Sequence, residues 1–80
     1  MIAHEHGLIA TTYEPFTDTI TVIHHPDNGG YTYDIDWHMT PEEAVEIFAD
    51  RYGFDDGECY DLAYCIQATQ RDQMAMPFTV

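Results

Sequence analysis

The spacing of apolar residues along the chain changes from that of strands to that of helices at Thr40. Leu8 to Tyr13 is a short β-prone run that Glu14-Pro15 breaks. Thr19 to His25 reads T-I-T-V-I-H-H, rich in β-branched residues, and Tyr31 to Trp37 reads Y-T-Y-D-I-D-W, an alternation of strand period. Between them lies Pro26-Asp27-Asn28-Gly29-Gly30, in which Asn28-Gly29 is a strong hairpin-turn signal. With Asn28-Gly29 as the loop, Val22 opposes Ile35, Ile20 opposes Trp37 and His24 opposes Tyr33. One face then carries Ile20, Val22, Tyr33, Ile35 and Trp37. The other carries Thr21, His25, Thr32, Asp34 and Asp36, with Ile23 as the exception.

From Thr40 the pattern is helical. Thr40 is a capping residue, Pro41 suits the first helical position and Glu43 completes a capping box. Ala44, Val45, Phe48 and Tyr52 follow at helical spacing with Ile47 beside them, and Gly53 ends the helix. A second helix starts near Asp55 or Asp56, with Glu58 as box partner to Asp55, and carries an apolar stripe of Cys59, Leu62, Ile66 and Thr69. Asp55, Asp56, Glu58 and Asp61 gather at its positive dipole end. Met74 to Val80 either adds an edge strand or hangs free. The fold class is α+β: a small antiparallel sheet, hairpin 19–25/31–37 plus a third strand 8–13, with helices 41–52 and 56–70 packed on one face. Residues 1–80 form a single domain.

Charge changes the picture. The chain has 15 Asp and Glu against two Arg and no Lys, a formal charge of −13. Such a surface cannot hold nucleic acid by neutralising phosphates, and anionic lipid repels it. No direct nucleic-acid or membrane binding is expected. Nor is the chain an acidic disordered tail, because 45% of it is apolar and 14% aromatic. There is no basic n-region followed by an apolar stretch and no run of membrane-spanning length. The expected setting is cytoplasmic, in a bacterial host cell, with a monomer or homodimer as the working unit.

Candidate chemistry is sparse. Cys59 and Cys65 are six positions apart on a helix, about 9 Å along its axis, beyond disulfide reach. They read as two buried thiols. His4-Glu5-His6 on an extended segment puts two imidazoles on one side, a feasible start to a metal site, with His24, His25 and His38 as further donors. Zinc-site spacing is missing, so no metal is expected, and the Met1 end is expected to fray. The chain contains no Ser, and Gly29-Gly30 opens a strand rather than a helix, so neither a nucleophile elbow nor a phosphate loop exists. Asp55-Asp56-Gly57-Glu58 lacks calcium-loop spacing. No enzyme and no cofactor are expected.

The acids are arranged as well as abundant. Glu43, Glu46 and Asp50 share one outward stripe of the first helix, about 4.5 and 6 Å apart along the axis, with Glu42 adjacent. Asp34 and Asp36 point the same way from the second hairpin strand, about 6.6 Å apart. With Asp55, Asp56 and Glu58, these are the candidate partner-binding residues. Carboxylates at such spacings on rigid elements imitate the charge density of duplex DNA toward a basic groove. In size, charge, α+β layout and these acidic faces, the whole chain resembles the small acidic anti-CRISPR inhibitors of phages and, more broadly, DNA-mimic proteins. No signature motif takes part. The resemblance implies a viral inhibitor that occupies a Lys/Arg-rich DNA-binding surface of a CRISPR-Cas effector subunit and so blocks target DNA. The alternative is an acidic module of another class, an antitoxin or immunity-type inhibitor or an adaptor for a basic protein. Both share electrostatic steering toward a basic partner.

Overall fold

The computed structural model describes residues 3–25 and 30–75. Four antiparallel strands run in meander order, β1 (Ala3–His6), β2 (Ile9–Glu14), β3 (Thr19–His24) and β4 (Tyr31–Asp36), followed by α1 (Pro41–Tyr52) and α2 (Asp56–Ala75). The architecture is α+β, with α2 lying across β1 and β2 and α1 packed alongside α2.

Strand β1 is the element the sequence pattern did not reveal. Its residues, expected to fray, form an edge strand in register with β2, with Ala3 opposite Thr12 and His6 opposite Ile9. Only Gly7 and Leu8 connect the two. Gly7 has φ +60, the positive first position that a two-residue type II′ hairpin demands. A side chain there has no room: a Cβ on Gly7 would stand 2.2 Å from Asp61 Oδ2.

The β3–β4 hairpin exists, but its register differs by two residues from the expected one. Ile20 opposes Ile35 rather than Trp37, Val22 opposes Tyr33 and His24 opposes Tyr31. A two-residue turn at Asn28-Gly29 would have kept His25 in the ladder. The β3–β4 ladder ends instead at the His24–Tyr31 pair, and the His25 N–H, on the β2 side, donates to the Leu8 carbonyl at 2.9 Å. Positions 26–29, which carry the turn signal, lie outside the described residues. Because the shift is even, every side chain stays on its expected face. Ile20, Val22 and Ile35 are buried, whereas Thr32, Asp34 and Asp36 face solvent. Trp37 falls just beyond β4; its N–H donates to the Asp18 carbonyl at 3.3 Å and its ring meets Tyr13 edge-on.

Helix α1 has the expected ends. The Glu43 N–H donates to Thr40 Oγ1 and the Thr40 N–H to Glu43 Oε1, both at 3.1 Å, and Gly53 closes the helix at φ +70. A second reciprocal pair starts α2: the Glu58 N–H donates to Asp55 Oδ1 at 2.8 Å and the Asp55 N–H to Glu58 Oε1 at 3.0 Å. Helix α2 runs past the expected end at Gln70 to Ala75. After Gly57 in its first turn, no Gly or Pro occurs in the sequence before Pro77. Met74 and Ala75 are therefore helical, and the rest of the expected edge strand lies outside the described residues. The core unites Ile9, Ile20, Val22 and Ile35 with Ala44, Phe48, Phe54, Leu62, Cys65 and Ile66. Phe48 anchors it, meeting Tyr33, Tyr52 and Phe54 edge-on at 5.1 to 5.2 Å. Its burial contributes on the order of 2–3 kcal/mol.

Candidate functional site

The carboxylates divide by what they touch. Glu58, Asp61 and Asp72 face inward from α2 toward three histidines of the sheet. His4 Nε2 and Asp72 Oδ2 share a hydrogen bond at 2.6 Å, and His6 Nδ1 and Asp61 Oδ1 share one at 2.5 Å. His24 Nε2 lies 2.6 Å from Glu58 Oε2 but out of hydrogen-bonding alignment. The contact joins a buried imidazole to a carboxylate whose other oxygen already serves the helix cap. The His6 ring is also flanked by Tyr64 at 4.5 Å and Tyr60 at 5.6 Å.

These contacts assign the N-terminal histidines differently from a metal site. Each imidazole faces its own α2 carboxylate, and among the described residues no group of three His, Cys, Asp or Glu is placed to hold a metal ion. The signal was partly available. The period of two across His4-Glu5-His6 already put both rings on one face, but the distant partners Asp61 and Asp72 had no local signature. Glu58, counted among the candidate binding residues, is committed to the α2 cap and to His24.

A second group of acids makes single local bonds. Asp34 Oδ1 accepts from Thr21 Oγ1 at 3.0 Å, and Asp36 Oδ1 accepts from the His38 N–H at 2.7 Å. Glu43 and Asp55 serve the helix caps. These carboxylates are exposed, and each N–H or O–H bond leaves most of their charge facing water. Glu42, Glu46, Asp50 and Asp56 are exposed with no hydrogen-bond partner among the described residues. Neither Arg51 nor Arg71 lies within ion-pair distance of a described carboxylate.

The candidate binding residues thus form two surfaces. Asp34 and Asp36 occupy the sheet face turned away from the helices, since Ile35 between them is buried under the helical layer. Glu42, Glu43, Glu46 and Asp50 occupy the solvent side of α1, with Asp55 and Asp56 at the start of α2. No single flat partner can cover both at once.

Two thiols complete the chemical inventory. Both are free. Cys65 is buried under β2, its Sγ 3.6 Å from the Ile9 carbonyl oxygen. Burial, and secondarily the Asp61 carboxylate, pushes its thiol up to about 11 from an ordinary 9.0. Cys59 is half-buried and is raised too, by burial and then by the carboxylates of Asp56 and Asp55. A thiol held protonated is a poor nucleophile.

No known protein family matches the chain, and no curated protein or solved structure matches it either. Among the described residues no helix is long and apolar enough to cross a membrane.

Proposed function

We propose that this protein is an inhibitor that binds a Lys/Arg-rich, DNA-binding surface of a CRISPR-Cas effector subunit and blocks target DNA by competition. The observation that carries the reading is the outer side of α1. Glu42, Glu46 and Asp50 stand exposed there with no hydrogen-bond or ion-pair partner among the described residues, on a helix fixed by a capping box at one end and Gly53 at the other. A single-sign field of this kind raises association rates with a basic partner and confers little on the fold itself. The carboxylates are pre-positioned, so few side chains need ordering when the partner docks.

The deciding experiment is a mobility-shift titration of labelled target duplex on purified effector complexes, with the protein as competitor. Glu43→Gln, Glu46→Gln and Asp50→Asn are introduced together. Glutamine at position 43 preserves the capping box, so the fold is retained while three charges are removed. The triple variant is expected to inhibit at least about tenfold less well, a loss of roughly 1.4 kcal/mol. Undiminished inhibition by the folded variant would remove α1 from the binding face.

A further inference from the structure

The β2–β3 connection, residues 15–18, presents a side chain that no part of the fold uses. Phe16 is 95% exposed, far more than any other large apolar residue described. Single exposed apolar residues are common on protein surfaces, so exposure alone assigns Phe16 no role; its setting does. This one sits on a braced loop. The Phe16 N–H donates to Glu14 Oε1 at 3.0 Å, Thr17 and Thr19 share a hydroxyl bond at 2.7 Å, and the Tyr13 hydroxyl donates to Asp18 Oδ1 at 2.7 Å. The Asp18 carbonyl is bound by the Trp37 N–H, and Asp18 itself holds a left-handed φ of 56, a conformation Asp tolerates better than most residues. The phenyl ring therefore projects from a fixed base.

We infer that Phe16 is an anchor that inserts into an apolar pocket rimmed by Lys or Arg on the protein partner. The inference rests on the reading that the partner is basic, and charge complementarity at the tip points the same way. Glu14 and Asp18 flank the ring in the loop, and Asp36 shares the outer-face row in which Glu14 and Asp36 both oppose Thr19. An apolar pocket with an acidic or neutral rim would meet three carboxylates without compensation. An anionic membrane would repel the same three, and a second copy of this chain offers the same sign of charge. Hot spots of this form are rigid aromatic knobs in pockets ringed by polar contacts, and a braced loop loses little freedom on docking.

The test is photo-crosslinking from the full chain in lysate of bacteria that express CRISPR effectors. A benzophenone amino acid replaces Phe16 in one sample and, for comparison, the exposed Tyr60 in another, and adducts are mapped by mass spectrometry. The expected result is an adduct from position 16 to an apolar residue flanked by Lys or Arg, at least about tenfold more abundant than from position 60. Alongside, Phe16→Ala should melt at the parent temperature and bind the mapped partner about tenfold more weakly. No adduct from position 16, an adduct to a second copy or to lipid, or parental binding by the folded Phe16→Ala variant overturns the inference. A mapped basic protein unrelated to CRISPR would sink the inhibitor reading and leave the anchor standing. Effector inhibition that Phe16→Ala leaves intact would do the reverse.

Discussion

At the scale of single residues, two positions carry constraints out of proportion to their size. Gly7 combines a positive φ with a side chain already in the space a Cβ needs. Gly7→Ala must adopt a left-handed backbone and push Asp61 away from His6. The change is expected to cost about 2–3 kcal/mol, read as a lower urea midpoint. Gly53→Ala provides the comparison: its φ is +70 but nothing lies within 4 Å of the new Cβ, so only the backbone strain applies. An equal loss at both positions would show that the Asp61 contact adds nothing. Cys65 sets a pH limit. Its folded thiol is raised to about 11 from an unfolded 9.0, so the contribution of keeping it protonated is complete below pH 9. As pH climbs toward 11 the unfolded chain releases its proton first, and stability falls by up to roughly 2–3 kcal/mol. Tyr33, raised by burial, and Tyr13, raised by its bond to Asp18, act in the same direction. Urea midpoints at pH 8 and pH 10.5 measure the slope, and Cys65→Ala should flatten it.

At the scale of elements, the legible features were those with local causes. Both capping boxes, the extent of α1 and the two faces of the hairpin followed from neighbouring residues, because caps and alternation are set within a few positions. What sequence pattern could not supply was decided at a distance. The β3–β4 register departs by two residues from the one the turn signal implies, and the carboxylates that meet the β1 histidines come from α2, 55 and 68 positions away. Gln70 is a further case. Its side-chain amide donates to the carbonyls of Trp37 at 3.0 Å and Met39 at 2.7 Å, fastening the β4–α1 connection to α2. Gln70→Glu puts a carboxylate against two carbonyl oxygens that have lost their donor. A destabilisation of about 2–3 kcal/mol is expected in thermal or chemical denaturation, whereas Gln70→Ala should lose only about 1–2 kcal/mol. The reverse ranking would mean the amide bonds matter less than the space it fills.

At the scale of the whole molecule, the balance of charge opposes the fold it decorates. Exposed acids repel one another, while the described His–carboxylate contacts sit in the partly sheltered seam between sheet and α2. Raising NaCl from about 0.01 M to about 0.5 M should therefore stabilise the protein, because screening acts most on exposed charges. A gain of about 1 kcal/mol corresponds to a melting temperature higher by roughly 4–8 °C. A falling melting temperature would show that attractive pairs outweigh the repulsion. The same sorting explains how far the candidate site was legible. The acidic stripe of α1 was readable from helical spacing alone. The withdrawal of Glu58 into the seam was not, since its partner His24 lies on a strand far away in sequence, and neither was the separation of the acids into two surfaces.

The seam also dictates an order of events. His4 meets Asp72 across 68 positions of chain, and His6 meets Asp61 across 55. Closing loops of that length is entropically slow, and contacts of high sequence separation lower the folding rate. During synthesis β1 stays without its helical clamp until α2 has left the ribosome. A chain halted before Asp61 therefore lacks both carboxylate partners of the β1 histidines, and the face of β1 that α2 covers in the complete fold stays open to solvent.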